Sequence, residues 1–129
     1  MKWIKKGLID APDTSLWWQQ LYAMMPTPIY FENKNTIRIY FGTTDKERFG
    51  RPSFIDVNAD NPSEIIFNSD TFIIDLGMIG TFDDSGVIPS SIVLNKDCYY
   101  LYYVGFQRTV KVPYMLFSGL LLGNNKLDD

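Results

Sequence analysis

Two adjacent carboxylates, Asp83 and Asp84, stand in the segment Gly80-Thr81-Phe82-Asp83-Asp84-Ser85-Gly86. Carboxylates in such a turn can take a proton, accept hydrogen bonds from hydroxyl groups, or cap the backbone as an Asx turn around Ser85-Gly86. Consecutive strand residues point to opposite faces, so only a turn could aim both side chains the same way. Arg38 is a cation inside an apolar stretch. Such a residue binds an acidic sugar or phosphate, or pairs with an acid such as Asp45 or Asp56. The chain has no His, which excludes Ser-His-Asp and Cys-His catalysis and His-bearing zinc sites. Its one cysteine, Cys98, cannot close an intrachain disulfide. It reads as a small structural residue beside a Tyr-rich strand, in a protein of a reducing compartment.

The acids are otherwise scattered, with no compact metal-ligand spacing. Asp45-Lys46-Glu47-Arg48 reads as a charged, solvated turn. The net charge of −3 offers no basic field to nucleic acid or acidic lipid. Aromatic residues make up 16% of the chain, a content that suits layered strands or a surface that stacks on sugar rings.

Strand signals dominate the elements that must hold these residues. Ile37-Arg38-Ile39-Tyr40-Phe41 and Tyr99-Tyr100-Leu101-Tyr102-Tyr103-Val104 each end at a glycine. Pro28 to Phe31 and Ser91 to Leu94 each run into a polar turn of hairpin length. Only the stretch from Thr14 to Met25 has a helical look, and at most a turn or two of helix is expected there.

The strongest internal signal is a repeat. Pro26-Thr27-Pro28-Ile29 matches Pro89-Ser90-Ser91-Ile92, and Ile37, Ile39 and Gly42 match Tyr100, Tyr102 and Gly105, at an offset of 63. Pro52 to Ile55 matches Pro113 to Leu116 at 61. A further strand, Glu64 to Phe67, closes the first repeat. Four antiparallel strands per repeated unit make a β-propeller blade. The expected fold is therefore all-β: the first two blades of a five-bladed β-propeller in an incomplete ring, one partial domain over 1–129. Blade 1 spans about 26–68 and blade 2 about 89–122. The second unit lacks its fourth strand before the polar stretch 123–129. A twisted two-sheet sandwich would use the same strands.

Met25 to Ile29, Ile37 to Phe41, Gly80 to Ser90, Tyr100 to Gly105 and Val112-Pro113-Tyr114, in that order, resemble the N-terminal part of five-bladed propeller proteins related to glycoside hydrolase families 43, 32 and 130. The group most resembled is an uncharacterised, glycosidase-like one associated with bacterial surface-polysaccharide synthesis. The resemblance implies an active site in a central funnel, with an Asp on the innermost strand of each of the first two blades. Thr27 and Ser90 stand at those two positions, and neither ionises. Asp83 and Asp84 remain the catalytic candidates, in a loop that would face the funnel. Thr27, Ser90 and Arg38 become substrate-binding candidates, and Trp18 and Tyr22 could stack on a pyranose ring or pack on blade 1.

The expected function is a glycosidase-like propeller that acts on or binds a polysaccharide or sugar, truncated and inactive alone. The second reading is a non-catalytic carbohydrate-binding or assembly protein of polysaccharide biosynthesis. No cofactor or metal is called for. The expected partner is carbohydrate, without nucleic acid or membrane, and apolar blade faces favour self-association. With no hydrophobic signal segment after the basic start, a cytoplasmic location is expected.

Overall fold

A computed structural model describes residues 1–124; of the expected polar stretch 123–129, Gly123 and Asn124 end a strand and 125–129 lie outside the described residues. The described chain is all-β. Strands β1 (Leu21–Phe31), β2 (Thr36–Thr44), β3 (Gly50–Asn58) and β4 (Ile65–Asn68) form an antiparallel meander. Strands β5 (Gly86–Asn95), β6 (Cys98–Arg108) and β7 (Tyr114–Asn124) form a second. β-Branched and aromatic residues fill both, as pleated, half-buried surfaces require.

Local turn chemistry fixes the hairpins. β1 and β2 close at Phe31 and Thr36 around a short 3-10 turn, Glu32–Lys34, and Asn35 takes the left-handed conformation with φ of 49°. Asparagine tolerates that region better than branched residues do. The Tyr30 hydroxyl donates to Asn35 Oδ1 at 3.2 Å, and Asn35 Nδ2 donates to Asp60 Oδ2 at 2.7 Å. The β5–β6 hairpin closes at Asn95 and Cys98, with Lys96 at φ of 56°.

The two meanders join at one parallel bridge, Gly50 to Gly86. A Cβ on Gly86 would lie 2.1 Å from the Phe106 ring and 3.0 Å from Gly50 Cα. Only glycine permits that approach. The resulting sheet is open: β1, β4 and β7 each have one strand neighbour among the described residues.

Cross-strand partners share a face. Arg38 with Asp56, and Tyr40 with Phe54 and Thr27, face the second meander. There they enclose, with Ile92, Tyr99, Leu101 and Leu121, a cavity of about 250 Å³. Phe31 meets Tyr99 edge-on at 6.0 Å. The opposite face of the first meander carries its own core of Phe41, Ile55 and Val57, flanked by Ile37 and Ile39. Gly7 to Asp10 lie along that side beside Ile39, Phe41 and Ile55.

The structure corrects several expectations. Thr14 to Trp18 form turns, and β1 begins at Leu21, so the expected helical turns over 14–25 are absent. Cys98 is exposed. The offset of 63 also changes parity. Matching the closing pair Phe31–Thr36 to Asn95–Cys98 shifts β2 onto β6 by 62, and matching Thr44–Gly50 to Arg108–Tyr114 shifts it by 64. Both are even numbers, so Ile37 and Ile39 correspond in facing to Tyr99 and Leu101, not to Tyr100 and Tyr102. The meanders consequently stack front to back: the Arg38–Tyr40 face of the first meets the face of the second that corresponds to Ile37 and Ile39.

Candidate functional site

The loop that carries Asp83 and Asp84 is stapled to β6. Asp83 Oδ2 accepts from the Tyr103 hydroxyl at 3.0 Å and Oδ1 accepts from Thr81 Oγ1 at 3.0 Å. Asp84 Oδ2 accepts from the Gly80 N–H at 2.9 Å and Oδ1 from Ser85 Oγ at 2.9 Å. The Gly80 N–H, then the Ser85 hydroxyl, hold the Asp84 carboxyl below its ordinary range. Gln107 Nε2 donates to Thr81 O at 2.7 Å and Ser85 N–H to Phe106 O at 3.1 Å, binding the loop backbone to the same strand. Phe82 stacks on Tyr103 with ring centroids 6.0 Å apart. Burial first, and Asp83 second, push the Tyr103 phenol up to about 12. Three of the four carboxylate oxygens thus serve the loop itself, and Asp83 Oδ2 ties it to β6.

A different set of side chains converges where the two meanders meet. Tyr22 and Met24 of β1, Thr44 of β2, Arg48 of the following turn, Ile88 of β5, Phe106 of β6, and Tyr114 and Leu116 of β7 line a cleft of about 250 Å³. Thr44 is only 3% exposed, and its hydroxyl has no hydrogen-bond partner. Arg48 is exposed, with no ion pair or side-chain hydrogen bond among the described residues. Both Tyr22 and Arg48 have positive φ, 64° and 68°, and non-glycine residues held there at a cleft rim are frequent at binding sites.

The turn that presents Arg48 is built by Asp45. Its Oδ1 accepts from the Glu47 and Phe49 N–H groups at 2.9 and 3.0 Å, while its Oδ2 accepts from Arg51 at 3.3 Å. From the second meander, the Arg108 guanidinium lies 3.9 Å from the Phe49 ring centroid and donates to Glu47 O at 2.6 Å. The cleft therefore depends on both meanders.

No family model matches the chain. It is similar to two uncharacterized proteins of Mycobacterium tuberculosis, MT1551 and Rv1502, each 34% identical over 114 residues. Each match covers 88% of this chain and 38% of the relative, so the chain spans little more than a third of those proteins' length.

Of the residues selected from sequence, Tyr22 alone lines the cleft. Thr27 is buried, its hydroxyl donating to Met25 O at 3.1 Å. Ser90 is exposed at an irregularity where the β5–β6 register shifts between Pro89 and Ser91. Trp18 is buried edge-on against Phe72, with ring centroids 5.6 Å apart. Arg38 forks onto Asp56 through Nε and Nη2 at 2.8 and 2.9 Å, with its guanidinium 4.1 Å from the Phe54 ring centroid. Burial works against that charge, yet the bonds to Asp56 hold the guanidinium above its ordinary range. Among the described residues, Asp83 and Asp84 bond to loop and β6 residues and to none of the other five candidates.

Among the described residues no group of three or more His, Cys, Asp or Glu side chains could hold a metal ion, and no helix is long and apolar enough to cross a membrane. Sequence reading missed Thr44, Arg48 and Tyr114. The signal available for Arg48 was its place in a tight charged turn between two strands.

Proposed function

We propose that the chain is part of a glycosidase-like propeller that binds carbohydrate in the cleft between its two meanders and does not hydrolyse it. The observation that carries this reading is the chemistry of the cleft. Tyr22 and Tyr114 offer ring surfaces to the C–H face of a sugar. Arg48 offers an unpaired fork to a carboxylate or another acidic substituent. An acidic saccharide suits both the ring surfaces and the cation.

Hydrolysis of glycosides needs two carboxyl groups that flank the scissile bond. Here the adjacent acids have their oxygens bound to the loop and to Tyr103. Thr27 and Ser90 hold the positions where the resemblance would place acids. The order of strands in each meander, and their front-to-back stacking, support the two-blade reading. The binding role favours the non-catalytic form of the hypothesis, in polysaccharide synthesis or assembly.

The test is a glycan array of neutral and acidic oligosaccharides, followed by calorimetry on the hits. Acidic saccharides should bind, and Arg48→Gln should weaken them roughly tenfold or more, the effect of losing a charge-assisted hydrogen bond. Neutral sugars should be far less affected by that change. Turnover of aryl glycosides that disappears in Asp83→Asn or Asp84→Asn would overturn the binding-only reading. Binding of acidic saccharides that is indifferent to both Arg48→Gln and Tyr22→Ala would remove the cleft from it.

A further inference from the structure

The turn 45–48 lines two clefts. Thr44, at the end of β2, and Arg48 belong to the cleft already described. Asp45, Lys46 and Glu47 border a second one of about 430 Å³, together with Thr14, Trp17 and Gln20. These six residues lie in the segment before β1 and in the turn between β2 and β3. None of them belongs to a sheet edge, and described loops alone build the walls of this cleft.

Trp17 sets the chemistry of the second cleft. It is 63% exposed, yet its ring is held on two sides. The Arg51 guanidinium lies 4.8 Å from the ring centroid, and Phe72 meets it edge-on at 6.4 Å. Arg51 is buried and fixed in turn by Asp45 at 3.3 Å and Asp75 at 2.8 Å. The indole is therefore an oriented apolar surface open to solvent. Beside it stand Lys46 and Glu47, both exposed, with no ion pair or side-chain hydrogen bond among the described residues. A flat ring bordered by a free donor and a free acceptor suits a ligand with a C–H face and a rim of hydroxyls, which is a neutral sugar. A phosphate would meet Glu47, and a quaternary ammonium would meet Lys46.

We infer that Trp17 floors a second subsite for a neutral sugar residue, so that the ligand is an oligosaccharide that crosses the turn 45–48, with its acidic residue beside Arg48 and a neutral residue on Trp17. The turn is tight: the Asp45 N–H donates to Phe49 O at 3.1 Å and the Arg48 N–H to Asp45 O at 3.0 Å. One hairpin tip is thus all that stands between Arg48 on the first cleft and Lys46 and Glu47 on the second. The inference rests on the carbohydrate reading above and adds to it a minimum length and an order of residues. Linking the two contacts in one ligand raises affinity without a new contact at Arg48.

The test is calorimetry of the full chain with uronic, sialic and sulfated saccharides of one to four residues. Affinity should rise roughly tenfold from the acidic monosaccharide to its longer forms, about the value of one aromatic contact. Trp17→Ala should remove that gain and leave the monosaccharide affinity, with its dependence on Arg48, at the wild-type level. Trp17→Phe, which keeps a ring, should retain part of the gain. Fluorescence reads the same subsite in proteins that keep an aromatic ring at position 17: the wild-type tryptophan emission should change with the longer saccharides and not with the monosaccharide, and Trp17→Phe should abolish the change. Affinity that ignores length, a gain that survives Trp17→Ala, or an emission change that persists in Trp17→Phe would each overturn the subsite while the Arg48 cleft stands. Loss of Arg48-dependent binding at every length would instead overturn the carbohydrate reading, and the subsite with it.

Discussion

Tyr103 reaches across from β6 to Asp83 beneath the ring of Phe82, and opposite Gly119 on β7 its own ring lies where a Cβ would be. That geometry explains why the neighbouring acids, read from sequence as candidates for chemistry, serve as a staple. An Asp in a loop can accept bonds from substrate hydroxyls or from its own chain, and residue type does not choose between them. The choice is made by a tyrosine twenty positions away. The staple has a titration signature. The Tyr103 phenol, at about 12 in the folded chain, lies above the ordinary value of about 10 for an unfolded tyrosine. The folded state keeps this proton longer, so the associated stability is fully present below about pH 10 and is lost as pH rises towards 12. Tyr103→Phe keeps the ring and removes the hydroxyl. It should cost about 1 kcal/mol at neutral pH and flatten the fall in stability between pH 10 and 12, measured by urea unfolding at a series of pH values. An unchanged alkaline slope would show that Tyr103 does not carry it.

At the scale of elements, strand centres were legible and strand ends were not. Alternation over Ile37 to Phe41 and the tyrosine run of β6 place those strands correctly, because the two-residue period is written directly in residue type. The start of β1 was hidden. Its positive-φ residues, Tyr22 and Met25, are types that give no hint of that conformation, and the stretch before Pro26 read as helical. Parity was lost for a related reason. The first hairpin spends four residues between its closing pair and the second spends two, so an alignment on apolar identity slips by one and inverts every facing. Arg48 was passed over because a charged turn looks solvated, and the cleft exists only through contacts between distant segments. The join itself is the most exacting element. Adding a methyl group at Gly86 drives it into the Phe106 ring and towards Gly50. Gly86→Ala should cost about 2–3 kcal/mol, the upper part of the usual range for overpacking. Gly86→Ala/Phe106→Leu should recover part of the loss by making room. Chemical denaturation of the three proteins checks this, and a double variant no better than the single would place the strain elsewhere.

For the whole molecule, front-to-back stacking makes each meander part of the other's core. Arg38 and Asp56 illustrate the dependence. Their side chains are 14% and 13% exposed; Arg38 lines the wall facing Ile92, Tyr99 and Leu101, and Asp56 is its cross-strand partner. A partly buried pair of this kind contributes little net stability against an apolar replacement, but removing one partner leaves a poorly solvated charge. Arg38→Ala should therefore cost about 1.5–3 kcal/mol. Arg38→Met/Asp56→Leu, which removes both charges and keeps volume, should lie near the wild type. The informative readout is where the loss is felt. If the inter-meander wall is one cooperative unit, protection should fall together for amides of β2 and of β6 in Arg38→Ala, although β6 contains neither member of the pair. Native-state hydrogen exchange resolves the two strands. Loss confined to β1–β4, with β6 holding its wild-type protection, would mean that the meanders fold as separate units joined only at Gly50 and Gly86. The cleft that both must build would then have to form by docking, and Arg38→Ala would weaken saccharide binding without unfolding the second meander.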